Sequence, residues 1–113
     1  MASYERITEV AALDGYFDRS HERPVFLFKH SVTCPVSSAA LREYERYLEQ
    51  AGEEPVHTLI EVQNARDVSK AIAERSGVRH ESPQALLVRD GQVVWHASHW
   101  KITRDALADA LAD

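Results

Sequence analysis

The chain contains one cysteine, Cys34, within Thr33-Cys34-Pro35-Val36-Ser37. A β-prone apolar run ends shortly before it and helical spacing begins directly after it. Cys34 is therefore predicted at the N-cap or first position of a helix. The first N–H groups of a helix lack intrahelical acceptors, and the helix dipole favours an anion there. Both effects favour thiolate over thiol, and the thiolate is the attacking species in thiol–disulfide exchange. With a single cysteine, no intramolecular disulfide can form and a cysteine-rich metal site is excluded. Any covalent redox chemistry must then engage a second molecule. The competing reading is a small buried hydrophobe, and the position where a strand hands over to a helix argues against it.

Neighbouring residues extend this chemistry. Ser37 lies one helical turn on, where a second cysteine would complete a Cys-x-x-Cys dithiol. Serine cannot resolve a mixed disulfide, but its hydroxyl or N–H can hydrogen-bond the sulfur. The plainer reading is a polar residue in a helix's first turn. Lys29 and His30 close the preceding strand, and either can lend positive charge to a thiolate. The alternatives are a solvated strand end for Lys29 and a packed or backbone-bonded histidine for His30. His80 lies in the loop before Pro83, within approach of the thiol pocket. His96 and His99 sit near Trp95 and Trp100 but have no third ligand, so no metal is expected. Trp95 reads as core or sheet cover. No carboxylate pair at useful spacing and no Gly-rich phosphate loop is present.

The elements that must position these residues follow from periodicity. A first strand is predicted near Tyr4 to Ile7. Thr8 is predicted to cap a helix reaching about Ser20, with Val10, Leu13 and Phe17 on one face. Pro24 to Lys29 is a nearly continuous apolar run, suited to a strand covered on both faces, and His30 to Thr33 form the turn. The helix from Pro35 carries Val36, Ala39, Ala40, Tyr44, Tyr47 and Leu48, with proline in its first turn and Gly52 as its stop. A strand at Val56 to Val62 leads to a helix capped by Asn64, with Val68, Ala71 and Ile72 inward, ended by Gly77. Ala85 to Arg89 and Val93 to His96 form a hairpin across Asp90-Gly91. Thr103 caps a last helix with Ala106, Leu107, Ala110 and Leu111 inward. The order β-α-β-α-β-α-β-β-α implies an α/β three-layer sandwich, a mixed central sheet with helices on both faces.

A reactive cysteine after a core strand, followed by Gly77-Val78-Arg79-His80-Glu81-Ser82-Pro83 and an Asp-Gly hairpin, resembles the thioredoxin superfamily. The resemblance implies a thioredoxin-like fold in which Pro83 is cis and faces Cys34, exposing the backbone of Ser82 for strand-like pairing with a thiol substrate. A closer similarity is carried by Phe28-Lys29-His30-Ser31, the Thr33 to Ser37 segment, Ser76 to Ala85 and Val94 to His99. These resemble the YtxJ-type bacilliredoxins, monothiol proteins tied to the bacterial small thiol bacillithiol. The similarity runs from about Pro24 to the C-terminal helix.

That resemblance implies removal of bacillithiol from protein mixed disulfides by Cys34, with Thr33, Pro35, Ser37, Ser82, Pro83, Lys29 and His30 stabilising the sulfur or shaping the groove. It implies no tightly bound cofactor, with bacillithiol as thiol co-substrate. The expected partners are bacillithiolated client proteins, met by a monomer. Three other readings remain open: a glutaredoxin-like protein acting on glutathione or another small thiol, a non-catalytic redox sensor or binding module, and a purely structural fold relative with an inert Cys34.

Composition sets the outer bounds. The chain has 113 residues, 44% hydrophobic and 27% charged, which suits one globular domain over 1–113. The net charge of −5 argues against a nucleic-acid partner. No apolar run is long enough to span a bilayer and no signal-peptide core follows Met1, so a soluble cytoplasmic protein is expected.

Overall fold

The computed structural model describes residues 3–113. Its order is β1 (Glu5–Arg6), α1 (Ala11–Arg19), β2 (Val25–His30), α2 (Pro35–Gln50), β3 (Val56–Glu61), α3 (Arg66–Ser76), β4 (Gln84–Arg89), β5 (Gln92–Ser98) and α4 (Arg104–Ala112). A short 3-10 turn at His99–Lys101 joins the last strand to the last helix. The five strands form one mixed sheet ordered β1-β3-β2-β4-β5. Strand β3 runs parallel to β1 and β2, while β4 runs antiparallel to β2 and β5. Among the described residues, no helix is long and apolar enough to cross a membrane.

Strand β2 is central and fully buried, which explains its near-continuous apolar sequence. Successive side chains of a strand point to opposite faces. Phe26 and Phe28 join Tyr44, Tyr47 and Leu48 of α2 and Leu107 of α4 in one core. Val25 and Leu27 join Leu13 and Phe17 of α1 and Val68 and Ile72 of α3 in the other. Two helices therefore cover each face. The same alternation sends Lys29 towards the α1/α3 face and His30 towards the α2 face.

Several boundaries differ from expectation for identifiable reasons. Thr8 does not cap α1. The helix begins after Val10, itself in helical conformation, and main-chain bonds to Glu9 and Val10 start the first turn. Val10 is 40% exposed and off the packed face. Helix α2 stops before Gly52 because the chain turns extended at Ala51. Ala65, not Asn64, occupies the N-cap of α3, and Asn64 instead folds back on Glu61. His30 belongs to β2 rather than to the turn. Gly77 ends α3 in the left-handed region at φ 73°, and the Thr103 hydroxyl accepts the Ala106 N–H at 3.1 Å, both as expected. Asp90 and Gly91 both have positive φ, as a two-residue hairpin turn requires.

Candidate active site

Cys34 stands at the N-cap of α2, in extended conformation at φ −103° and ψ 121°. It is half-buried, and it is a free thiol. Pro35 follows at the first helical position and has no N–H to leave unpaired. The first i→i−4 bond of the helix runs from Ser38 N to Cys34 O at 3.0 Å. The N–H groups of Val36 and Ser37 consequently have no i−4 carbonyl within the helix, and they lie at its mouth beside Cys34. Sixteen residues of α2 align their peptide dipoles with the positive end there.

A polar scaffold behind the cysteine holds this handover. The Ser37 side chain is fully buried. Its Oγ accepts the Ser31 N–H at 2.8 Å and pairs with His30 Nδ1 at 2.8 Å. The hydroxyl expected to reach the Cys34 sulfur is thus committed to the turn, and Ser37 positions the cysteine indirectly. Ser37 reaches His30 because pleat parity aims that histidine at α2. Burial pushes the His30 imidazole below its ordinary pKa, which favours its neutral form.

Gln63, which the sequence reading did not single out, supplies a second brace. Its Oε1 accepts the Val32 N–H at 3.1 Å, and its Nε2 donates to Ser31 Oγ at 2.7 Å and Thr33 Oγ1 at 3.2 Å. No motif announces it, because its role depends on β3 ending alongside the turn after β2. Thr33 and Pro35 are themselves exposed on the rim of the site.

Lys29 contradicts its reading as a solvated strand end. It is 0% exposed, since β2 is flanked by β3 and β4 and covered on both faces. Its Nζ reaches His80 Nδ1 at 3.1 Å. Desolvation lowers the ammonium pKa to about 8. Desolvation and the nearby Lys29 charge together lower that of His80.

The Ser82–Pro83 bond is cis. Lys29 pairs with Gln84 across the antiparallel β2–β4 ladder. Pro83 therefore stands level with His30, where β2 leaves the sheet for the Cys34 turn. Gln84 is fully buried. Its Nε2 donates to the Arg79 carbonyl at 3.0 Å, while its Oε1 and the Ser82 Oγ have no hydrogen-bond partner among the described residues. The structure thus gathers Lys29, His30, Thr33, Cys34, Pro35, Ser37, Ser82 and Pro83 at one end of the central strands. Trp95 lies apart and packs edge-on against Phe26 in the core, at 6.3 Å between ring centroids. Among the described residues, no three His, Cys, Asp or Glu side chains are grouped as metal ligands.

This arrangement can present one sulfur nucleophile to a disulfide, beside free backbone donors and a polar loop. A family model described as "Monothiol bacilliredoxin BrxC" matches residues 5–107. A solved oxidoreductase with a thioredoxin fold is 31% identical, with a TM-score of 0.84 over 95% of this chain and 92% of that one. Thioredoxin from Fasciola hepatica is 12% identical with a TM-score of 0.76, covering 96% of each chain. A mutant thioredoxin from Halobacterium salinarum NRC-1 is 21% identical with a TM-score of 0.74, covering 96% of this chain and 88% of that one. These similarities show a thioredoxin fold, as the sequence resemblance implied.

Proposed function

The chain belongs to the monothiol bacilliredoxin family, and from that membership we propose that it removes bacillithiol from cytoplasmic proteins by thiol–disulfide exchange at Cys34. The observation that carries the reading is a half-buried, unpaired thiol at the N-cap of a long helix, in a chain with no other cysteine.

In the first step the Cys34 thiolate attacks the bacillithiol sulfur of a client–bacillithiol disulfide. A Cys34–bacillithiol bond forms, the client sulfur leaves as thiolate, and that thiolate takes a proton from water. One disulfide is exchanged for another, with no net oxidation. A second bacillithiol thiolate then attacks the bound bacillithiol sulfur, frees Cys34 and leaves as bacillithiol disulfide, whose reduction falls to another enzyme. Cys34 stays at the N-terminal mouth of α2 in both steps. Ser37, His30 and Gln63 hold the turn, and the Ser82 backbone beside Pro83 lines the client's approach.

The test is a client protein carrying either bacillithiol or glutathione on one cysteine. The parent protein is expected to release bacillithiol at least about tenfold faster than glutathione, a difference of roughly 1.4 kcal/mol, and to cycle when free bacillithiol is supplied. Equal or faster release of glutathione would favour glutaredoxin-like chemistry. Uptake of one equivalent without cycling would make the protein a sensor.

A further inference from the structure

A groove of about 610 Å³ opens beside the Cys34 turn, lined by Val62, Gln63, Arg66, Ser69, Lys70 and His80, with Ala73 and Glu74 completing its wall. Cys34 is not part of that wall. The two are joined through Gln63, which lines the groove and donates to Thr33, the residue before Cys34. We propose that this groove binds the carboxylates of the small thiol exchanged at Cys34, so that the protein selects acidic low-molecular-weight thiols over neutral ones. The inference rests on the exchange chemistry proposed above and adds a site for its substrate.

The cations come first. Arg66 and Lys70 are four residues apart on α3 and share one face. Both are exposed, and the ion pairs among the described residues involve neither. In a chain of net charge −5, two unpaired cations in one concavity are not a general surface property. Guanidinium and ammonium groups recognise carboxylate through charge-assisted hydrogen bonds.

The second observation is independent of charge. Ser69 lies between these cations in sequence and lines the same groove, yet it is only 4% exposed. Its Oγ is buried without a hydrogen-bond partner among the described residues. Buried hydroxyls ordinarily find partners; the Ser69 Oγ is covered in this structure, and a side-chain turn towards the groove would let an anion's oxygen supply one. His80 adds a donor: when its Nδ1 accepts from Lys29 Nζ, the imidazole carries its proton on Nε2.

The layout gives direction and size. Glu74, the only acidic wall residue, lies one helical turn beyond Lys70 and repels carboxylates from that end. The anionic part is then held at Arg66 and Lys70, with its sulfur towards Thr33 and Cys34. The volume falls in the range of small-molecule sites, which fits a thiol of a few hundred daltons better than a protein surface.

The test uses a neutral client peptide bearing a mixed disulfide with bacillithiol, glutathione or β-mercaptoethanol. The first two thiols carry carboxylates and the third does not. The double variant Arg66→Gln/Lys70→Gln is expected to lose roughly tenfold or more in kcat/KM on both acidic adducts, mainly through KM. On the mercaptoethanol adduct it should lose less than about twofold. An equal loss on all three, or no loss, overturns the groove assignment while leaving the exchange reading intact. A loss on the mercaptoethanol adduct that appears only with an acid-flanked peptide assigns the cations to clients and also overturns it. Should the parent clear none of the adducts, the exchange reading fails and the groove is still judged by binding. For this, amide resonances of the Cys34→Ser protein are followed during titration with the S-methyl derivatives of bacillithiol and glutathione. Saturable shifts at Gln63, Arg66, Ser69 and Lys70, weakened in a Cys34→Ser protein also carrying Arg66→Gln/Lys70→Gln, support the site. Shifts elsewhere, or none, refute it.

Discussion

Lys29 and His30 are adjacent in sequence, yet one lies under the α3 side of the sheet and the other under α2. Burial lowers the pKa of both for the same reason, removal from water. The Lys29 ammonium pays this most heavily: its pKa falls from 10.5 to about 8. At neutral pH the folded protein therefore carries a buried charge at a cost on the order of 2–3 kcal/mol. Lys29→Met should stabilise the protein at pH 7 by about 1–3 kcal/mol in urea denaturation. The sign with pH follows from linkage. Between about 8 and 10.5 the unfolded lysine keeps a proton that the folded one has lost, so parent stability rises with pH in that window. The advantage of the variant should shrink over the same window, and an advantage that stays constant would refute the penalty. Burial of Lys29 was not legible in the sequence, because a lysine closing an apolar run usually marks a solvated strand end. Only the placement of β2 between two strands and two helix layers overrides that pattern. The reactive cysteine was legible, since its position depends on a local change of periodicity at Pro35.

At the scale of elements, the junction between β2 and α2 is held by side chains rather than by a regular ladder. Ser37→Ala removes the acceptor of the Ser31 N–H and the partner of His30 in a fully buried place. The expected cost is about 1–3 kcal/mol, together with slower alkylation of Cys34 by iodoacetamide as the turn loosens. Alkylation at the parent rate would mean that Ser37 does not position the cysteine. Gly77→Ala makes a contrasting case. It forces φ 73° on a residue with a Cβ, although nothing lies within 4 Å of that Cβ. A loss of about 1 kcal/mol is expected from backbone strain alone, with Cys34 reactivity unchanged. Gly77 and Thr103 could be placed from sequence because their roles are set within a few residues. Thr8, Asn64 and Gly52 were misplaced because main-chain turns and a single extended residue can start or stop a helix without them. Gln63 was invisible for the opposite reason, since its partners lie about thirty residues away.

Over the whole molecule, two cores clasp the sheet and leave the polar site at the ends of its central strands. Against the α2-side core lies the imidazole of His57, stacked on Phe26 and paired through Nε2 with the Tyr47 hydroxyl at 2.9 Å. Burial lowers its pKa to about 4. Between about 6.5 and 4 the unfolded state binds a proton that the folded state refuses, so stability falls as pH drops through that range. The loss should amount to about 2–3 kcal/mol, and His57→Gln should flatten this limb in pH-dependent melts. The central claim concerns the one sulfur at the head of α2. Intact-mass spectrometry of a single turnover, with a bacillithiolated client and no free thiol, tests it most directly. The mass of one bacillithiol should leave the client and appear on the parent protein at the same rate, with neither change for Cys34→Ala. Clearance of the client by Cys34→Ala at the parent rate, or clearance with no mass gained on Cys34, would contradict the account.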